Sequence, residues 1–288
     1  MSEPHTSVII VNYNTEDLVI DLIDSIETKN VSIIVVDNSN NSIFPERLPT
    51  KVQYVKSPNN LGYTGGNNLG IQECIGESDY ALIINPDVLI QSEDFIQTLV
   101  QKSEQCDDIG VLGPKINDSL SEQESLKEKI LRCLGILPKL PDRDDSIYYY
   151  SSIPGCAMLV DLDLHEKIGG FDARFFMYQD EVDYCYRAQK EGYLIGTCDS
   201  VVLEHSDEYT DFPKDTDYKL YYYLRNGFLI TSSVFRNLSS VVVLILHILT
   251  IVVNMLRIAR NKRFDLLVPL YYSIVDGLIG NYGRYRYL

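Results

Sequence analysis

Five short apolar runs rich in Val and Ile recur through the first part of the chain: "SVIIV" (7–11), "VSIIVV" (31–36), "VQYV" (52–55), "YALII" (80–84) and "IGVLG" (109–113). Segments with helical patterning lie between them at 16–29, 66–75 and 93–104. A strand that is apolar on both faces must be covered on both faces, and helices between successive strands supply that cover. The alternation therefore predicts an α/β fold, a mostly parallel sheet flanked by helices. Thr15 and Ser92, each followed by two acidic residues, mark the expected starts of two of those helices. With 45% apolar and 23% charged residues, the chain has the material for a full core in about one or two domains.

In such a sheet, ligands bind beyond the carboxyl ends of the strands. Three of the runs end in polar residues there: "VNYN" (11–14), "VDNSN" (36–40) and "NPD" (85–87). Any strand end needs polar turn residues, so one such ending says little, whereas three converging at one edge suggest a site. In "DYALIINPDVLI" (79–90) a buried-strand pattern breaks at Asn85 and Pro86, presents Asp87, and turns apolar again. A carboxylate fixed at a strand exit is well placed to hold Mg²⁺ or Mn²⁺ shared with a diphosphate. "NNLGYTGGNNLGI" (59–71) sets glycines and asparagines around a helix start, where close backbone approach and the helix N-terminus favour a nucleotide diphosphate. It follows neither the Walker A pattern nor GxGxxG, and by itself a Gly-rich turn is the commoner explanation.

A charged segment follows at 114–153, with one predicted helix (119–135) and a "PDRDD" loop, and to it no chemistry is assigned. Patterning resumes from "PGCAMLV" (154–160) to "VVLEHS" (201–206). Within it, "FFMYQDEVDYCYR" (175–187) groups Asp180, Glu181 and Asp183. Early acids suit the dipole of a helix beginning near 180; alternatively, one of them accepts a proton from a hydroxyl nucleophile. Phe175, Phe176 and Tyr178 supply either an apolar wall or core. His205 is either a structural strand-end histidine or a metal ligand.

The order "VIIVNYN", "VVDNS", "NNLGYTGGNNLGI", "IINPDV", "PGCAMLV", "GGFDARFFMYQDEVDYCYR", "EHS" and "YYLRN" closely resembles family 2 glycosyltransferases of the GT-A fold, in particular their bacterial rhamnosyltransferase-like branch, over about residues 6–230. The resemblance implies an inverting transfer of a sugar from a dTDP- or UDP-sugar, with rhamnose from dTDP-rhamnose as the expected donor. The implied acceptor is a hydroxyl of a lipid-linked or growing surface polysaccharide. Carried over by position, Asn12, Asp37, Asn38, Gly65, Gly66, Asn67 and Asn85 fall on the donor side. Asp87 is the last acid of the DxD-type motif and holds the metal with His205. Glu181 is the base with Asp180 as the other candidate, and Gly155, Asp183 and Arg225 fall on the acceptor side. Two departures stand out: Asn85 replaces the first acid of DxD, and the usual Glu-Asp pair reads Asp180-Glu181. A nucleotidyltransferase on a similar sheet would be expected to carry a basic Gly-rich loop after its first strand, where this chain has "NYN". A catalytically silent nucleotide-sugar-binding or scaffold protein is the non-enzymatic alternative, and the joint presence of Asp87, Glu181 and His205 argues against it.

The net charge of −16 argues against a nucleic-acid partner. It is unevenly placed: residues 219–288 hold 9 Lys and Arg against 2 Asp and Glu, whereas residues 1–218 hold 16 against 39. The basic part contains "VVVLILHILTIVVNML" (241–256), 16 residues without a charge and short of the roughly 20 that span a bilayer. His247, Thr250, Asn254, Arg257 and Asn261 form one polar stripe along it, and Arg260, Lys262 and Arg263 follow. These features predict an amphipathic arm at 231–288 lying in the plane of an anionic membrane, attached to a catalytic domain at 1–230 whose donor part is about 1–115 and acceptor part about 150–210. Docking of the helix on the catalytic domain or in a homodimer is the alternative. The six cysteines show no CxxC pair or zinc-site spacing, which fits thiols in a reducing cytosol. The early apolar run Val8 to Val11 is too short for a signal sequence, so the expected location is cytoplasmic, peripheral on the inner face of the cell membrane.

Overall fold

The computed structural model describes residues 3–26, 29–39, 44–92, 94–106, 108–117, 125–141, 146–205, 217–233, 235 and 238–285. The apolar runs form β1 (Thr6–Asn12), β2 (Val31–Asp37), β3 (Val52–Lys56) and β4 (Tyr80–Ile84), paired in parallel in the order β3-β2-β1-β4. Between and after them lie α1 (Glu16–Ser25), α2 (Gly62–Gln72) and α3 (Phe95–Glu104). The pleat sends Val8 and Ile10 to the face covered by Val19 and Leu22 of α1 and Phe95 and Leu99 of α3. Ile9 points the other way and packs with Ile71 of α2. Both faces are therefore core, which is why these runs are apolar at successive positions.

The rest of the catalytic fold adds β5 (Val88–Ile90), β6 (Ile109–Ile116), β7 (Ile147–Tyr149), β8 (Ala157–Asp161) and β9 (Leu194–His205), with α4 (Leu126–Cys133), α5 (Leu162–Ile168) and α6 (Asp180–Lys190). The sheet continues β4-β8-β6-β9-β5, with β7 also on β9. β5, β7 and β8 run antiparallel to their neighbours, while β6 and β9 keep the direction of β1 to β4. The sheet is thus mixed but mostly parallel. One consequence places the site: the C-terminal ends of β1, β2, β4 and β9 and the N-terminal end of β8 share one edge.

Helix starts depart from the sequence expectation. The Thr15 hydroxyl donates to Asn12 Oδ1 (3.0 Å) instead of capping α1, and Asp94, not Ser92, sits at the cap position of α3. α2 begins at Gly62, four residues early, so the glycine run lies inside the helix. Its glycines serve close packing: a Cβ at Gly66 would sit 2.8 Å from Val11 Cγ1, and one at Gly70 would sit 2.4 Å from Ile9 Cγ2. Of the helix expected at 119–135, Leu126–Cys133 is helical behind a Ser125–Glu128 capping box. Residues 118–124, most of the "PDRDD" loop and Ser206 lie outside the described residues.

The C-terminal part is three helices, α7 (Asp217–Ser233), α8 (Leu238–Arg260) and α9 (Leu267–Ile279). Val243, His247, Ile251 and Ile258 form the buried side of α8, and Val241, Ile245, Ile248, Leu249, Val252 and Val253 are exposed apolar residues on it. The helix outruns the charge-free 16 residues at both ends, and at 23 residues it is long and apolar enough to cross a membrane by length and composition. Beyond α9 the chain turns back: Gly283 N donates to Arg174 O (3.0 Å) and Tyr285 N to the Tyr222 hydroxyl (2.7 Å). Residues 281–285 thereby reach the segment that leads into α6.

Candidate active site

Strand register sets the first part of the site. Asn12 pairs with Asp37 across β1 and β2, and Asp37 with Lys56 across β2 and β3. Asn12 Nδ2 donates to Asp37 Oδ1 (2.9 Å) and Ser39 Oγ (3.1 Å), while Tyr54 OH and Lys56 Nζ each donate to Asp37 Oδ2 at 2.8 Å. Burial would raise the Asp37 carboxyl, but the bonds from Lys56, Tyr54 and Ser39 outweigh it and hold it below the usual range. Asp37 is thus a fixed anion at the bottom of this edge. Asn38 Nδ2 donates to Gly62 O (2.9 Å), tying β2 to α2. Gly65 and Gly66 lie in the first turns of α2, and beside them Asn67 is buried with neither side-chain amide atom hydrogen-bonded.

The start of α2 is less open to a phosphate than the sequence suggests. Gly62 N is taken by Asn60 Oδ1 (2.8 Å) and Thr64 N by Phe176 O (3.2 Å), because the 174–179 loop abuts this helix end. A Cβ at Gly62 would fall 2.3 Å from that same carbonyl.

Asp87 and His205 do come together. The register of β5 on β9 pairs Val88 with His205, and His205 Nε2 lies 3.5 Å from Asp87 Oδ2. Asp87 Oδ1 is buried without a hydrogen-bond partner, an uncompensated acceptor of the kind a cation satisfies. Among the described residues no group of three or more His, Cys, Asp or Glu side chains converges as a ligand set. A carboxylate and an imidazole alone fit a divalent ion that takes its remaining oxygens from a substrate diphosphate and water. Asn85 leads into this turn, and its N–H donates to Cys156 O (2.9 Å), fastening the exit of β4 to the start of β8. Burial, with the charge of Asp87 adding to it, pushes the Cys156 thiol up to about 12, so it stays protonated.

Asp180 and Glu181 open α6 at the same edge. An added Cβ at Gly155 would stand 3.7 Å from Glu181 Cβ and 3.4 Å from the Tyr63 hydroxyl, which donates to Gly155 O. Gly155, Tyr63 and Glu181 therefore form one wall. The two carboxyls, adjacent at the helix start, act on each other electrostatically, and Asp180 Oδ2 is buried without a hydrogen-bond partner. Burial raises both, and the charge of Glu181 drives Asp180 well above the carboxylate range. Ionising both at once is therefore disfavoured, and the pair titrates as a unit that readily holds one proton. Burial raises the Tyr178 hydroxyl, the neighbouring Tyr218 adds to the rise, and the charges of Asp87 and Glu181 contribute further.

Two residues expected on the acceptor side lie elsewhere. Asp183 is fully buried in an ion pair with Arg187 (2.8 Å) and accepts from Ser233 Oγ (3.0 Å), fastening α6 to α7. Arg225 is also fully buried, its guanidinium directed at backbone carbonyls behind the 174–179 loop. Tyr63, Tyr54 and Lys56 belong to the site and had no sequence signal beyond proximity to the motifs.

The glycosyl transferase family 2 model matches residues 7–161, which takes in Asn12, Asp37, Asn67, Asp87 and Gly155. The chain belongs to glycosyl transferase family 2. This family 2 glycosyltransferase is 28% identical over 288 aligned positions to the low-salt glycan biosynthesis hexosyltransferase Agl10 of Haloferax volcanii, covering 96% of this chain and 92% of that one. It is 24% identical to the rhamnosyltransferase WbbL of Escherichia coli K12, covering 81% and 98%. Among solved structures it is similar to the mannosyltransferase PcManGT from Pyrobaculum calidifontis in complex with GDP-Man and Mn²⁺, with a TM-score of 0.60 at 13% identity over 96% of this chain and 88% of that one. The GT-A fold expected from the sequence is the fold observed.

Proposed function

We propose that this glycosyltransferase transfers a sugar with inversion from a nucleoside diphosphate to an acceptor hydroxyl, with Glu181 as base and Asp87 and His205 as ligands of Mn²⁺ or Mg²⁺. The observation that carries this reading is the placement, at one sheet edge, of an uncompensated Asp87 beside His205 and of Glu181 in the wall it forms with Gly155 and Tyr63. The acceptor oxygen forms a bond to the anomeric carbon as the bond to the diphosphate oxygen breaks. The acceptor proton passes to Glu181, and the electron pair departs with the nucleoside diphosphate. A base so placed contributes about 10² to 10⁴ in rate. A bound divalent ion neutralises charge on the diphosphate. In this reading Asp180 carries the proton that the buried pair holds, and Glu181 is the member free to act as base. Asn12, Asp37, Asn38, Gly65, Gly66, Asn67 and Asn85 form the donor side, where the buried amide of Asn67 retains unmet bonding capacity. Gly155 leaves room for the acceptor beside Glu181.

Rhamnose from dTDP-rhamnose is the donor this reading favours, supported by the rhamnosyltransferase among the relatives, and the acceptor is a lipid-linked or growing glycan. A thermal-shift panel of nucleotide sugars with Mn²⁺ tests it. At about 100 times its dissociation constant the true donor adds roughly 2.7 kcal/mol of stability. A larger shift from UDP-sugars than from dTDP-rhamnose would reassign the donor, and no shift from any of them would contradict the site.

The raised carboxyl of Glu181 gives a pH dependence with a definite sign. The base works ionised, so kcat falls as pH drops through a midpoint above 4.5, the ordinary value for Glu. That acid limb should vanish from the residual activity of Glu181→Gln. A limb that persists in the variant would belong to another group.

The arm supports work at the cytoplasmic face of an anionic membrane. Fourteen of the twenty large apolar side chains exposed among the described residues lie between Val241 and Ile279, beside Arg257, Arg260, Lys262 and Arg263. Cationic groups beside an apolar face complement anionic headgroups over acyl chains. The full chain should co-sediment with phosphatidylserine vesicles, and Leu249→Asp combined with Val253→Asp should release it. Unchanged sedimentation of that variant would remove the membrane reading, and concentration-dependent dimerisation lost in the variant would assign the face to a second copy.

A further inference from the structure

The segment that delivers Glu181 is held in an unfavourable shape. Phe176, Tyr178 and Gln179 have φ of 67°, 63° and 64°, the left-handed region that side chains with a Cβ avoid, and α6 starts immediately after them. Three such residues within four persist only where the surroundings impose them. α2 takes one side of the segment through the Thr64 N–H to Phe176 O. The other side is taken by two adjacent residues of α7. Asn226 Nδ2 donates to Phe175 O (3.2 Å), Met177 O (2.9 Å) and Tyr178 O (2.7 Å). What fixes the direction of that amide is Arg225: its Nε and Nη2 donate to Asn226 Oδ1 at 2.9 and 2.7 Å, leaving the NH₂ turned to the loop. Nη2 also reaches Phe175 O (2.8 Å).

Arg225 is itself held by the end of the arm. Its Nη1 donates to Gly283 O (2.5 Å), and the N–H of the same Gly283 donates to Arg174 O (3.0 Å). The guanidinium carbon lies 5.3, 4.8 and 5.7 Å from the ring centroids of Tyr221, Tyr222 and Tyr282, a desolvated aromatic seat for a cation. The tail is closed by the Tyr285 N–H to the Tyr222 hydroxyl and by the ring of Tyr285 against that of Tyr221 (4.1 Å between centroids).

We infer that Arg225 and Asn226 are positioning residues that impose the left-handed segment and so aim Glu181 at the acceptor, and that residues 281–285 of the arm complete this clamp. The inference rests on Glu181 being the base. Both residues are fully buried, so their effect passes through the carboxylate they place.

A double-mutant cycle on the full chain tests it, with kcat, donor KM and thermal midpoint read for Asn226→Ala, Glu181→Gln and the combination. Asn226→Ala should lower kcat by about 10- to 10²-fold with donor KM within about threefold, as expected when a reacting group is misplaced without loss of donor binding. In the Glu181→Gln background the same substitution should lower kcat no further, because there is no base left to misplace. Arg225→Lys, which keeps the charge but cannot grip Asn226 Oδ1 with two donors, should give the same pattern and serves if Asn226→Ala does not fold. An equal fold-loss in both backgrounds, unchanged kcat in Asn226→Ala, or collapse of the thermal midpoint in both variants would overturn the inference. Wild-type kcat in Glu181→Gln alone would instead remove the base reading, a result distinct from an impaired Glu181→Gln with a normal Asn226→Ala, which removes only the clamp.

Discussion

Glu181→Gln should lower kcat by at least about 10²-fold while leaving donor KM within about threefold. Gln keeps the size of the side chain, but it cannot take up a proton from the acceptor. Burial raises both neighbouring acids and the charge of Glu181 adds to the rise at Asp180, so the proposed roles give the shared proton to Asp180. On those roles Asp180→Asn keeps a neutral side chain in place, and its loss of turnover should be the milder one. Steady-state transfer of labelled sugar by both variants measures this. A larger loss in Asp180→Asn would exchange the roles, and near-normal turnover in both would remove the pair from the chemistry.

Asp87→Ala should lower kcat/KM by at least about 10²-fold, the scale on which one preorganised electrostatic contact to developing charge acts. It should also abolish the dependence of donor binding on Mn²⁺ or Mg²⁺. The side chain removed is the carboxylate that faces His205 at 3.5 Å and carries the buried unpartnered Oδ1, so an imidazole alone would remain for the cation. Titration of donor with and without chelator separates the effects: chelator should weaken donor binding by the wild type and leave Asp87→Ala unchanged. Wild-type activity that survives both the substitution and the chelator would contradict a metal at this position.

The parts of this protein legible in the sequence are those governed by local pattern. Continuous apolar runs gave β1 to β4 and β6, and their polar exits located the edge where Asn12, Asp37 and Asp87 lie. Asp87 could be singled out because Pro86 and the change from apolar to polar and back are visible within a few residues. Caps were less legible, since Thr15 found a better partner in Asn12 and Ser92 gave way to Asp94. The glycines of α2 looked like a phosphate loop because the sequence does not show that Val11, Ile9 and Phe176 come against them. Least legible was the clamp on the catalytic segment. Phe176, Tyr178 and Gln179 have no intrinsic preference for positive φ, and the carbonyls of Phe175, Met177 and Tyr178 are met by Asn226, about fifty positions later. Arg225 therefore looked like a substrate-facing cation although it is completely buried. The arm, separable from the catalytic domain by charge and hydropathy, returns its last described residues to that same loop.

On the proposed mechanism one sheet edge sets a metal-held diphosphate opposite the Glu181 carboxylate. The measurement that tests it most directly is a crystal structure of the full chain with Mn²⁺ and the nucleotide sugar selected by thermal shift, with the manganese located by anomalous scattering. The expected result is manganese within bonding distance of Asp87 and His205, shared with the diphosphate, with the anomeric carbon on the Glu181 side beside Gly155. Manganese bound away from Asp87, or a sugar facing away from Glu181, would contradict it.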